Sequence, residues 1–145
     1  VILLHLAAGL REWRRDHRTI WSDSRNVEWI YAATVSELAE GEARTVVIGK
    51  GERIAIWRYD GKIAATSYLC PHQNGPLGEG HVEGGCIVCP WHGRRFDPAT
   101  GEAADGAGGN RGFKVRTYRL RMSDGQIYIN PNPVSKSEFV SPLEI

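Results

Sequence analysis

The spacing of apolar residues along the chain changes once, near residue 27. Before that point Leu3, Leu6, Leu10, Trp13, His17 and Ile20 recur at intervals of three and four and form one apolar seam, the pattern of an amphipathic helix. Twenty helical residues would reach about 30 Å, enough to pack along a globular body or a second copy of it. Beyond that point, short apolar or β-branched runs alternate with turn residues. Trp29-Ile30-Tyr31-Ala32 reads as a first strand, and the runs from Thr45 to Ile48 and from Arg53 to Tyr59 flank Gly49-Lys50-Gly51. Asp60-Gly61 then leads into Ile63-Ala64-Ala65-Thr66. Asp-Gly between two such runs predicts a tight hairpin, since its central residues need positive φ. Cys86-Ile87-Val88 and Arg95-Phe96 are two further short strands, and Asp124-Gly125 joins a run from Val115 to Met122 to Gln126-Ile127-Tyr128-Ile129. Ser36-Glu37-Leu38 is the place in the body where a short helical turn is expected.

Many short strands with frequent turns predict an all-β, antiparallel domain. The organisation expected is an N-terminal helix or membrane-proximal linker over residues 1–27, a β domain over 28–131 and an extended tail over 132–145. Pro131, Pro133 and Pro142 cannot donate to a ladder, so the tail should lie over the surface. The loop from Ala103 to Asn110 is rich in glycine and is expected to be mobile.

The apolar start, Val1 to Leu10, is about half the length needed to cross a bilayer. Arg11, Arg14, Arg15 and Arg18 follow it, whereas a signal peptide carries its positive charge first. A docking helix is the preferred reading of this segment. The alternatives are a disordered tail, or the end of a transmembrane helix that continues upstream of Val1, with the arginines on the cytoplasmic side. Composition narrows the function classes. The 145 residues suit one domain. With 18 Lys+Arg against 17 Asp+Glu, the chain is neither a nucleic-acid arm nor a polybasic membrane coat. Three cysteines leave an odd thiol after any pairing, which argues against a secreted disulfide scaffold and for metal chemistry in a cytoplasmic setting.

That chemistry is concentrated in two segments. Cys70-Pro71-His72 and Cys89-Pro90-Trp91-His92 each offer one thiolate and one imidazole. Gly75, Gly78 and Gly93 permit the tight backbone a metal cradle needs, and Pro71 and Pro90 stiffen the loops. Zinc sites of two Cys and two His usually pair like with like, whereas the donor types alternate here. The sequence resembles the Rieske family of [2Fe–2S] proteins, whose pattern is Cys-x-His followed by Cys-x-x-His; the resemblance covers roughly residues 28–131. It implies an antiparallel β-sandwich or barrel with a small cluster-binding subdomain. It also implies that Cys70 and Cys89 bind one iron and His72 and His92 the other. Relatives ligate through Nδ1 and leave Nε2 near the surface, which makes His72 and His92 the candidates for electron exit and entry. Pro71, Gly75, Pro76, Pro90, Trp91, Gly93 and Phe96 would surround the ligands.

The respiratory-chain branch of that family carries a disulfide between the two loops. Gly75 and Trp91 stand at the matching positions, so that bridge is absent. The branch also places serine and tyrosine hydroxyls against the cluster sulfurs, where Arg94 and Phe96 stand here. Without those hydrogen bonds the potential should lie near the lower end of the Rieske range, about −150 to +300 mV. Relatives often cover the cluster with a proline-containing loop, whereas Glu102 to Gly112 holds no proline and is expected to make a looser cover.

Other candidates have plainer readings. Cys86 is expected to be a buried strand residue, with Ile87 on the opposite face. His81 reads as a solvated loop residue, and His5 and His17 as packing or surface residues. Lys114, Arg116, Arg119 and Arg121 read as a solvated strand edge, or as a steering surface for an acidic redox partner. Trp91 is expected to shield the cluster, with partner contact as the alternative. The functional expectation is an electron carrier, with no catalytic residues and no small-molecule substrate of its own, between a reductase and an oxygenase, membrane redox domain or other redox partner. The alternatives are a regulatory or assembly subunit of a reductase, and a fragment of a Rieske oxygenase. After the four ligands, only His5, His17 and His81 remain for the mononuclear iron an oxygenase would need.

Overall fold

The computed structural model describes residues 27–104, 113–135 and 137–145. The expected N-terminal helix, with His5 and His17, and most of the glycine-rich loop lie outside the described residues. Among the described residues ten strands follow one another: β1 (Ile30–Thr34), β2 (Ala43–Ile48), β3 (Glu52–Tyr59), β4 (Lys62–Ser67), β5 (His81–Glu83), β6 (Cys86–Val88), β7 (Arg95–Phe96), β8 (Thr117–Ser123), β9 (Gln126–Pro133) and β10 (Leu143–Glu144). The larger sheet is antiparallel, in the order β1-β9-β8-β4-β3-β2, with β10 added to β4; β5-β6-β7 form a smaller one. Strands β1 and β2 come back into contact, so the larger sheet is nearly a barrel. Both Asp-Gly pairs make the expected hairpins, with positive φ at Asp60, Gly61, Asp124 and Gly125. The helical turn of the body is a single 3-10 turn, Val35–Glu37, where the Thr34 N–H donates to Glu37 Oε2 (2.8 Å).

The continuous apolar run in β3 reflects burial on both faces. Ile54 and Ile56, with Ile63 and Ala65 of β4, fill the barrel interior beside Ile48, Ile127 and Ile129. Ala55, Trp57, Tyr59 and Ala64 point the other way, into a second core shared with Cys70, Leu77, Ile87, Cys89 and Phe96. The small sheet therefore rides on the outer face of β3 and β4, and both thiols of the motif are packed into the seam between them. Trp57 Nε1 donates to the buried Thr66 Oγ1 (2.9 Å), which satisfies the polar atom this packing would otherwise strand.

Several expectations need correction. Strand β9 runs on through Pro131 to Pro133, because the prolines fall where the ladder slips: Leu120 pairs with Ile129 and Tyr118 with Pro133, so the extra residues bulge out and need no ladder donor. The tail then returns as a strand. Strands β4 and β8 pair only at Ala65↔Tyr118 and Thr66↔Thr117, and β10 takes the free edge beyond, with Leu143 opposite Ile63 and Glu144 opposite Lys62. The basic run is split: Lys114 and Arg116 precede β8, while Arg119 and Arg121 lie in it past its two pairs with β4, where it is paired to β9, so the expected strand edge fits only the second half of the run. Arg119 pairs with Glu138, and Arg121 stacks 4.3 Å from the Trp29 ring centroid. His81 is in strand β5 rather than a loop, exposed and 3.6 Å from the Glu83 carboxylate. In β6 the alternation holds with its faces reversed: Ile87 is fully buried and Cys86 half-buried.

Candidate metal centre

The two motif segments fold into loops with one backbone design. In the first, the Cys70 N–H donates to Gly75 O (2.8 Å) and the Asn74 N–H returns to Cys70 O (2.9 Å). In the second, the Cys89 N–H donates to Arg94 O (2.8 Å) and the Gly93 N–H to Cys89 O (2.9 Å). Each loop has proline directly after the cysteine and a positive φ four residues after it, at Asn74 and Gly93. Such a turn holds the cysteine at its base and lifts the following residues outward. The backbone amides of His72 and Gln73 are directed at Cys70 Sγ, as suits a thiolate.

A third loop repeats the design without a thiol, and sequence reasoning missed it. The Asp97 N–H donates to Glu102 O (2.8 Å) and the Gly101 N–H to Asp97 O (2.8 Å). Asp97 Oδ1 accepts from the N–H groups of Ala99 (2.8 Å) and Thr100 (3.0 Å). The signal was legible: Asp97-Pro98-Ala99-Thr100-Gly101 echoes Cys89-Pro90-Trp91-His92-Gly93. The third loop acts as a brace. A Cβ on Gly101 would lie 2.1 Å from Val115 O, so only glycine lets the segment leading into β8 pass this close. Two residues before Val115, the Phe113 ring meets His72 edge to face, with centroids 5.7 Å apart.

The four candidate donors come together as two like pairs. Cys70 and Cys89 are 1% and 2% exposed and lie side by side; burial, and then the neighbouring Cys89 sulfur, push the Cys70 thiol up, against the two amides. The imidazoles pair on the outer side, with His72 and His92 centroids 5.2 Å apart, His72 half-buried and His92 exposed. Among the described residues, no three His, Cys, Asp or Glu side chains gather as a site for a single ion. Two sulfurs on the inside and two nitrogens on the outside fit a two-iron cluster with sulfur at one iron and nitrogen at the other. Two crowded, buried thiols gain most when a metal takes them both as thiolates.

The remaining predicted residues fall around this arrangement. A Cβ on Gly75 would sit 3.1 Å from Trp91 Cδ2 and 3.3 Å from Cys89 Sγ, so the two positions expected to face one another across the loops do so. Trp91 leans on Gly75 yet stays 57% exposed, which makes it a poor shield. Phe96 is buried in β7 opposite Ile87 and offers no hydroxyl. Tyr68, also missed, clamps the first loop. Its ring lies against Gly78 so closely that a Cβ there would be 2.3 Å from Cδ2. Its hydroxyl donates to Glu79 Oε1 (2.8 Å), and the Arg53 guanidinium stacks 4.2 Å from the ring centroid.

Known proteins share this fold. The family model described as "Rieske [2Fe-2S] domain" matches residues 28–119. The ferredoxin component of the naphthalene 1,2-dioxygenase system of Pseudomonas putida is 39% identical over 104 residues, 72% of this chain and 96% of that protein. The solved ferredoxin of Sphingomonas yanoikuyae B1 superposes with a TM-score of 0.64 at 30% identity, covering 72% of this chain and all of that one. Dicamba monooxygenase superposes with a TM-score of 0.65 at 31% identity, covering 73% of this chain but 33% of that one. Among the described residues, no helix is long and apolar enough to cross a membrane.

Proposed function

The chain belongs to the Rieske [2Fe-2S] domain family, and from that membership we propose that it carries single electrons on a cluster held by Cys70 and Cys89 at one iron and by His72 and His92 at the other. It is an electron-transfer component rather than a catalyst, and its cofactor is a Rieske [2Fe–2S] cluster. The observation that carries the ligand assignment is the sorting of donors into a buried thiol pair and an outward imidazole pair.

When bound, the cluster accepts and releases one electron without making or breaking a bond in a substrate. The residues set the terms of that exchange. Two thiolates in place of four leave the site two charges less negative, so an electron is easier to add. The Cys70 and Cys89 side keeps water out by burial in the second core. His72 and His92 put the electron within reach of a partner at the surface and form the door. Arg94 and Phe96 replace the hydroxyls that would stabilise the reduced state, and this supports a potential near the lower end of the Rieske range.

We place a reductase on the donor side and an oxygenase, or another redox protein such as a membrane redox domain, on the acceptor side. The relative in the naphthalene 1,2-dioxygenase system, itself a ferredoxin component, supports that position. Nucleic acid and small-molecule substrates have no role in it. Three unpaired cysteines support a cytoplasmic site of action, free or on the cytoplasmic face of a membrane. The test is spectroscopic: the purified protein should show thiolate-to-iron absorption and a low-temperature EPR signal on reduction, and His72→Ala or Cys89→Ala should abolish both. A cluster that survives either substitution would refute the assignment.

A further inference from the structure

Two features meet where the described chain begins, and neither belongs to the metal centre. The first is an apolar groove. Strands β4 and β8 part after two residue pairs, and β10 joins β4 beyond that point, so β8 runs on from Leu120 with a gap between it and β10. The gap is a groove of about 310 Å³ lined by Leu120, Arg121, Met122 and Leu143. Leu120 and Leu143 pack on the barrel core, while Met122 is 39% exposed.

The second feature is Trp29. Its side chain is 2% exposed yet is a member of neither core, and among the described residues its buried Nε1–H has no acceptor. Buried N–H groups are nearly always paired, so this one points to an acceptor outside the described residues. The Arg121 guanidinium lies 4.3 Å from the centroid of the Trp29 ring. Arg121 is also a wall of the groove, so the groove and the unpaired indole are neighbours.

The chain that leads into Trp29 carries what both features lack. Residues 1–26 precede the described body, and their apolar seam continues through Leu10, Trp13, His17 and Ile20. Such a seam gains stability only from an apolar partner. From Ile20 to Val27 the chain spans at most about 25 Å, which brings the near half of the seam within reach of a groove whose wall touches Trp29. Between them stand Ser22, Asp23, Ser24 and Asn26, each with a side-chain oxygen able to accept a hydrogen bond.

We infer that residues 10–26 dock on their own body, with Trp13 and Ile20 filling the groove between β8 and β10 and the stretch from Ser22 to Asn26 supplying the acceptor for Trp29 Nε1. The segment is then part of the domain and not a leash to it. An anionic lipid surface is the rival occupant of the seam, because residues 1–26 hold five arginines against Glu12, Asp16 and Asp23. Reach and the unpaired indole favour the body, since a lipid surface would leave both the groove and Trp29 Nε1 as they are.

Limited trypsin digestion of the oxidised holoprotein, read by mass spectrometry, reports cleavage after Arg11, Arg14, Arg15 and Arg18, and a synthetic peptide of residues 1–26 sets the undocked rate. Cleavage in the full chain should be about tenfold slower than in the peptide. Trp13→Ala, a change outside the body, should remove most of that protection with cluster absorption intact. Met122→Asp should do the same, and the two together should do no more than either alone. Val47→Ala, in β2, should change nothing. Met122 is the chain's single methionine, so an isotopic methyl label gives one nuclear magnetic resonance signal, which should shift in Trp13→Ala. Cleavage at the peptide's rate would overturn the docking. Protection that survives both substitutions, with an unmoved methyl signal, would overturn the groove as its seat. Protection that disappears on dilution, with a dimer in sedimentation, would assign the groove to a second copy. Protection that arises only with vesicles of phosphatidylcholine and phosphatidylglycerol would assign the seam to lipid, and either result overturns the proposal.

Discussion

Replacing Gly101 with alanine tests whether the third loop braces the metal centre, and Gly125 provides the control. Both glycines have nearly the same backbone, with φ of +75° and +74°. An added methyl therefore costs each about 1–2 kcal/mol for holding a side chain in the left-handed region. Their surroundings differ completely. Nothing lies within 4 Å of a Cβ on Gly125, whereas one on Gly101 would be 2.1 Å from Val115 O and 3.1 Å from Thr117 Cγ2. Neither obstacle is the end of a flexible side chain, so the segment leading into β8 must back away. The Val115 N–H to Gly101 O bond (2.9 Å) would then be lost or stretched, at about 0.5–1.5 kcal/mol. Gly101→Ala should cost about 2–3 kcal/mol in all, and Gly125→Ala about half of that. The assay is thermal loss of β-sheet circular dichroism, followed together with cluster absorption at one scan rate because unfolding with cluster loss is irreversible. Gly101→Ala should melt several degrees below Gly125→Ala. It should also alter the EPR line shape of the reduced cluster, since Phe113 would withdraw from His72, while Gly125→Ala should leave the signal unchanged. Equal melting temperatures with identical EPR signals would refute the bracing role.

Three further outcomes follow from the packing. Thr66→Val keeps the shape of a fully buried side chain but removes the acceptor of Trp57 Nε1; the stranded donor should cost about 1–3 kcal/mol, read as a lower cluster-bleaching midpoint in urea, and no change would show that the indole finds another partner. Removing residues 142–145 takes away β10 and bares the edge of β4 at Ile63, which is 0% exposed. Re-exposing that side chain alone should cost about 1.5–3 kcal/mol, and an unshifted thermal midpoint would show that the tail does not seal the β4–β8 seam. The Tyr59 phenol is raised from 10.0 to about 12 by burial first, then by the Asp97 and Asp60 carboxylates. The folded state thus holds that proton more tightly than the unfolded chain, so its contribution is complete below pH 10 and is lost as the pH rises to about 12. A denaturant midpoint that falls across this window, and a Tyr59→Phe variant that falls less, would bear this out; identical pH profiles would contradict it.

The features legible in the sequence are those decided within a few residues. Asp60-Gly61 and Asp124-Gly125 specify hairpins because their sterics are local. Cys-Pro-x-x-Asn and Cys-Pro-x-x-Gly specify a pair of like turns for the same reason. The strand bounds in β6 and β7 agree with the sequence reading residue for residue. The brace at Asp97 to Gly101 belongs with these, as the same local turn with a carboxylate for a thiolate.

What only the tertiary structure decided depends on residues far apart in the chain. A continuous run such as Ile54-Ala55-Ile56-Trp57 does not say which core each side chain enters; the small sheet lying on the outer face of β3 does. Cys86 and Ile87 alternate in either case, and the side that faces inward was fixed by where that sheet packs. Whether prolines end a strand depends on the partner's register, and β9 runs through them because the ladder slips there. The end of the chain became a strand because β4 and β8 part after two residue pairs and leave an edge to fill. The candidate donors at the metal centre were thus legible in the spacing of Cys70, His72, Cys89 and His92. Which side of it is dry, and which ring stands beside each imidazole, were settled by the packing of β3, the Asp97 loop and the approach of Val115 to Gly101.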